Sequence, residues 1–195
     1  MIKNIFVLII ISSFLYSCGS STESVIPSWL TKQETDNISI EVPSSWYVIN
    51  DKENILPKAK EWEIELAVSS DSVVNWFTNN LLILSDDLKT YVTSSDFSML
   101  NNVWAQTDYL DYTELDSKEF TYTDLEKSIL YTFEAKYNID TPKLKFLQTA
   151  HVCNQNKAYF ITLAIPTSVI DTSKYEDFLA TFTCKTPIGQ ESGLK

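Results

Sequence analysis

The feature that most constrains the fold of this chain is a two-residue period of apolar side chains that returns along its length. Ile38, Ile40 and Val42 alternate with polar neighbours. Trp62, Ile64, Leu66 and Val68 alternate with Glu61, Glu63 and Glu65, and Ile129, Tyr131, Phe133, Ala135 and Tyr137 repeat the pattern. A strand sends successive side chains to opposite faces, so each run predicts a strand with one buried face. Over 62–68 the opposite face is predicted to be acidic and wet. Leu81-Leu82-Ile83-Leu84 is a continuous apolar run, expected of a more central strand. Residues 144–153 and 158–165 flank Asn154-Gln155-Asn156-Lys157, which has the composition of a hairpin loop.

Two segments carry a helical period instead. Ser94 or Ser95 can cap a helix in which Phe97, Leu100 and Trp104 recur at i, i+3 and i+7. Ser173-Lys174-Tyr175-Glu176 has the capping-box form, and Tyr175, Phe178, Leu179 and Phe182 follow on one face. Pro43-Ser44-Ser45 is expected to turn the chain into Trp46-Tyr47-Val48-Ile49. Strands in succession with few helices between them predict an α+β fold, an antiparallel sheet covered by helices. No repeat, charge block or Pro/Gly-rich linker divides residues 25–187, so one domain is expected.

Composition removes several function classes. The 195 residues include 26 acidic and 15 basic side chains, a net charge of −11, and every basic residue is a lysine. A nucleic-acid binder needs a basic footprint, usually with bidentate arginine, so the composition argues against that class. The three glycines, Gly19, Gly189 and Gly193, lie outside the predicted core, which excludes a glycine-rich phosphate loop. His151 is the single histidine, which excludes a multi-histidine metal site. No cofactor and no metal site are expected.

Residues 1–17 read as an export signal. Lys3 supplies the positive start, and the apolar run from Ile5 through Ile11 continues to Phe14 and Leu15. The run is shorter than the ~20 residues a membrane-spanning helix needs. It ends in Leu15-Tyr16-Ser17-Cys18, which resembles a bacterial lipoprotein lipobox, with Tyr16 where a small residue is usual. The resemblance implies diacylglycerol on the Cys18 sulfur and cleavage after Ser17. The anchor would be the bilayer contact, because an acidic body is repelled by anionic headgroups. An ordinary cleaved signal with an incidental cysteine, and an uncleaved anchor, are the alternatives. Gly19 to Ser24 then forms a polar tether.

Four landmarks follow in one order: Ile38 to Val42 ending in Pro43-Ser44-Ser45-Trp46; Asn79-Asn80-Leu81-Leu82-Ile83-Leu84 before a capped helix; paired long strands ending in Lys157-Ala158-Tyr159-Phe160-Ile161-Thr162-Leu163; and a last helix ending in Phe178-Leu179-Ala180-Thr181-Phe182. Together they resemble the PsbP-like (Mog-type) family, which includes many bacterial envelope lipoproteins. The resemblance spans residues 30–185. It implies an α/β/α sandwich, a central antiparallel sheet flanked by helices on both faces, and a mostly non-catalytic, accessory or partner-binding role. It supplies no shared catalytic motif. The expected layout is a signal peptide at 1–17, the lipidated cysteine and tether at 18–28, the PsbP-like domain at 29–187 and a tail at 188–195.

The remaining candidates are few. With Cys18 lipidated, Cys153 and Cys184 are an even pair that can bridge in an oxidising compartment, or remain two buried thiols that never meet. His151 and Cys153 share a strand face, so a Cys–His pair is geometrically possible. Asp108, Asp111, Glu114, Asp116, Glu119, Asp124 and Glu126 form an acidic stretch; its spacing matches no EF-hand, and a charge-protected strand edge explains it better than calcium. The expected function is a lipid-anchored envelope protein on the extracytoplasmic side of a bacterial membrane, non-catalytic, binding a protein partner or a small apolar ligand. The alternatives are a cysteine-dependent enzyme using Cys153 and His151, or a purely structural surface lipoprotein.

Overall fold

The structure, a computed structural model, describes residues 27–50, 62–74, 77–154 and 156–185. The signal segment, Cys18, most of the tether, Glu61 and the 188–195 tail lie outside the described residues. In chain order the elements are β1 (Leu30–Glu34), β2 (Ile38–Pro43), β3 (Trp46–Val48), β4 (Glu63–Val74), β5 (Phe77–Asp87), α1 (Ser94–Asp108), β6 (Leu110–Thr121), β7 (Lys127–Lys136), β8 (Leu144–Cys153), β9 (Lys157–Pro166), α2 (Ser173–Leu179) and β10 (Thr183–Cys184). They form a seven-stranded sheet in the order β3-β4-β5-β9-β8-β7-β6 and a three-stranded sheet in the order β1-β2-β10. All pairings are antiparallel.

Both faces of the large sheet are buried at its middle. On β8 and β9, Leu147, Cys153, Tyr159, Ile161, Leu163 and Ile165 enter one core, together with Ile38, Ile40 and Val42 from the small sheet and Tyr175, Phe178 and Leu179 from α2. The alternate residues Phe146, Ala150, Ala158 and Ala164 face the other way, toward α1. The fold is therefore α+β and mostly antiparallel sheet. One face is covered by a helix; the other is covered by a second sheet carrying a short helix, so helix flanking describes the layers only in part.

Several local expectations change. The alternation over 62–68 is interrupted, because β4 and β5 pair Ile64 with Leu84 but Leu66 with Ile83, leaving Glu65 as the extra residue of a bulge. Trp62 consequently packs with Phe97 and Phe160 on the α1 side, while Leu66 and Val68 enter the core shared with the small sheet. No single wet acidic face results. Glu65 instead accepts hydrogen bonds from the Thr35 hydroxyl and the Asn37 side chain.

In α1 the N-cap is Thr93, whose hydroxyl accepts from the Asp96 amide at 3.1 Å, rather than Ser94 or Ser95. The inward side is Ser94, Phe97, Ser98, Asn102 and Ala105, whereas Leu100 and Trp104 are exposed. The buried hydroxyls and amide are satisfied: Ser98 donates to the Ile129 carbonyl at 2.7 Å, and Asn102 Oδ1 accepts from the Tyr112 hydroxyl at 2.8 Å. Small polar residues bring the helix close to a sheet face already filled by Phe133 and Phe146. In the last helix the N-cap is Thr172 rather than Ser173, its hydroxyl makes no capping bond, and the helix ends at Leu179. Phe182 remains fully buried although it lies beyond the helix.

β7 is buried on both faces rather than one, with Leu130 in the core shared with the small sheet and Phe133 in the other core, and Tyr137 lies beyond the strand. The hairpin turns through Asn154, which adopts φ 51°, a left-handed conformation asparagine tolerates. β6, which carries Asp111, Glu114, Asp116 and Glu119 of the acidic stretch, is the outer strand of the large sheet and is exposed along most of its length.

Candidate functional site

β8, β10 and the turn after β6 converge at one end of the core. His151 and Cys153 share a face of β8, as strand periodicity requires. β10 pairs with β2, Cys184 opposite Ile38, and this brings Cys184 against the end of β8. Cys153 and Cys184 are joined by a disulfide with Cα atoms 5.8 Å apart. Cys153 is buried, and Cys184 is half-buried.

His151 lies between the bridge and a carboxylate. Its Nε2 is 2.9 Å from Asp124 Oδ2, and its Nδ1 is 3.4 Å from Cys184 Sγ and 3.8 Å from Cys153 Sγ. Imidazole N–H donates and carboxylate oxygen accepts, so Nε2 donates to Asp124 Oδ2 while Nδ1 faces the two sulfurs. Asp124 is itself aimed by its turn. Its Oδ1 accepts from the Glu126 amide at 3.1 Å, an Asx-type contact that leaves Oδ2 for the histidine. The next residue, Leu125, takes φ 72° and is exposed, a left-handed conformation that costs a leucine roughly 1 kcal/mol or more.

The ring is also clamped from its sides. Tyr122 stands edge-on to it with centroids 4.7 Å apart, and Phe182 lies 5.1 Å away. Tyr122 is fully buried, and burial pushes its phenol well above the usual tyrosine range. It therefore stays a neutral donor, within reach of Thr149 Oγ1 and the Ala150 carbonyl, each at 3.1 Å. The pairing of His151 with Asp124 was not legible in the sequence, since 27 residues separate them and the acidic stretch offers seven carboxylates.

The second candidate is the outward side of α1. Met99, Leu100, Val103 and Trp104 are 47%, 55%, 54% and 64% exposed and lie on adjoining turns. No charged residue stands between Asp96 and Asp108. Enclosed binding sites are less developed. Two clefts among the described residues, of about 390 and 400 Å³, are lined mostly by serine, threonine and charged side chains. The aromatic cleft between Trp29, Trp46, Tyr175 and Phe178 holds only about 220 Å³, below the ~300 Å³ at which small-molecule sites begin. Among the described residues no helix is long and apolar enough to cross a membrane.

The architecture is similar to the solution structure of cyanobacterial PsbP (CyanoP) from Synechocystis sp. PCC 6803. The TM-score is 0.51 at 14% identity, covering 85% of this chain and 98% of that one. A protein of unknown function from Pseudomonas aeruginosa aligns with TM-score 0.47 at 11% identity, over 76% of this chain and 89% of the other. No family model matches the sequence, and neither does any curated protein. The chain has a PsbP-like fold; at this identity the likeness speaks to architecture alone.

Proposed function

We propose that this chain is a lipid-anchored accessory protein of a bacterial cell envelope, non-catalytic, held on the extracytoplasmic side by acylated Cys18. It binds a partner protein through the outer side of α1. The observation that carries the reading is the outer side of that helix, which presents Met99, Leu100, Val103 and Trp104 to solvent while Phe97, Ala105 and small polar residues face inward. Contiguous exposed apolar side chains of this kind mark interaction surfaces. The occupant is an uncharged, apolar protein surface. A bilayer fits less well: interfacial helices carry lysine or arginine along the polar face, and residues 90–108 contain neither. The modest size of the clefts favours a protein partner over a small apolar ligand.

A non-catalytic role is supported by the state of Cys153. The least implausible nucleophile of the sequence is bonded to Cys184, so His151 has no thiol to activate.

Extraction of native membranes in mild detergent tests the docking face. Wild-type protein is expected in a discrete complex heavier than the monomer. The Leu100→Glu/Trp104→Glu variant is expected to run as a monomer with its thermal stability little changed, because both side chains are exposed. Two species of equal size contradict the reading, and a homodimer would place a second copy of the chain on this face instead.

A further inference from the structure

We propose that reduction of the Cys153–Cys184 bond converts this cluster into a site for one zinc-class divalent cation, held by both cysteine sulfurs and His151 Nδ1, with water in the fourth position. The ligand atoms are already gathered, all lying within 4.8 Å of one another. Zinc binds thiolate at about 2.3 Å and imidazole at about 2.0–2.1 Å, and tetrahedral angles then place sulfur and nitrogen roughly 3.5 Å apart. The observed separations from Nδ1, 3.4 Å to Cys184 Sγ and 3.8 Å to Cys153 Sγ, bracket that value. Only the two sulfurs must separate, to roughly 3.8 Å for the same bond lengths. Side-chain rotation supplies this with the Cα atoms left 5.8 Å apart.

The surroundings of the histidine suit a ligand. Imidazoles that bind metal usually donate their other N–H to a carboxylate, which fixes the tautomer and raises ligand basicity. Asp124 accepts that hydrogen at 2.9 Å, and Nδ1 is left facing the sulfurs. Tyr122 and Phe182 hold the ring plane. Cys184 is half-buried, the most exposed of the three donors, and water is assigned the fourth position. Two thiolates and a neutral imidazole offset the charge of a divalent cation, so the occupied site is neutral. A soft donor set of two sulfurs and one nitrogen selects zinc over calcium or magnesium.

The chemistry balances. An external dithiol supplies two electrons and two protons; the sulfur–sulfur bond breaks, two thiols form, and the dithiol closes to its own disulfide. On binding, each thiol releases its proton to solvent and makes a bond to the metal, while His151 contributes a lone pair only. Oxidised protein is bridged and metal-free, and reduced protein holds the cation.

Cobalt and zinc titration of the full chain in detergent, before and after phosphine reduction, tests it. Reduced protein is expected to take up one equivalent of cobalt, with the intense visible bands of a tetrahedral ion and sulfur-to-cobalt charge transfer in the near ultraviolet. One equivalent of zinc should remove both signals. Oxidised protein should show neither. Asp124→Asn is expected to weaken zinc binding about 10-fold or more, and His151→Ala should lose the sulfur–nitrogen spectrum. Reduced, folded protein without a tetrahedral cobalt spectrum contradicts the site. So does a His151→Ala variant that binds as wild type, or a reduced chain that is unfolded and that zinc does not refold.

Discussion

Replacing Phe182 by alanine is expected to destabilise the domain by about 3–5 kcal/mol, read as a lower midpoint in urea denaturation at unchanged slope. The ring is fully buried where the two sheets meet, with centroids 5.1 Å from His151, 5.5 Å from Tyr159 and 6.1 Å from Tyr122. Those neighbours stand on or beside strands of the large sheet and cannot collapse into the space the ring leaves. The segment that carries Phe182 is also tied to the small sheet by β10 and to β8 by the Cys153–Cys184 bond, so it cannot shift to fill the space. Leu100→Ala, at a position the helical period makes equivalent to Phe97, is expected within about 0.5 kcal/mol of wild type because its side chain is exposed. A loss below about 1 kcal/mol for Phe182→Ala would mean that the ring does not join the layers.

The second large effect belongs to the bridge. The two cysteines are 31 residues apart, and closing a loop of that length stabilises a fold by about 3–4 kcal/mol in the chain-entropy account. Cys153→Ser/Cys184→Ser is therefore expected to melt on the order of 10 °C below wild type. Wild type in reductant should fall by a similar amount, while the serine variant should not respond. Phe182 and the cysteines share His151 as a neighbour, so combining the ring and bridge variants should depart from additivity. A wild-type melting curve indifferent to reductant would remove the bridge as a source of stability.

Local chemistry is well recorded in this chain. Alternation identifies β2 and β7, and the Asn154 turn appears where the hairpin composition places it. The acidic run lies along an exposed sheet edge, where charge discourages further strand pairing. What periodicity could not reach is non-local. A bulge at Glu65 sends Trp62 and Leu66 to opposite faces, and nothing in the run marks it. The inward side of α1 follows from serine and asparagine hydrogen bonds to β6 and β7, so of the apolar stripe Phe97 is buried while Leu100 and Trp104 point outward. The small sheet joins β10 to β2 across 144 residues at Ser39 and Thr183, which is why a helix was expected on a face that a sheet largely covers. The same closure carries Cys184 to His151, and the turn at Asp124 completes a cluster drawn from three separate stretches.

Intact mass spectrometry of the protein extracted from its native membrane bears most directly on the proposal that this domain is moored through Cys18. The expected species begins at Cys18 and carries the added mass of a diacylglyceryl group. A polypeptide that retains residues 1–17, or one that begins at Cys18 with no fatty mass, would contradict the mooring.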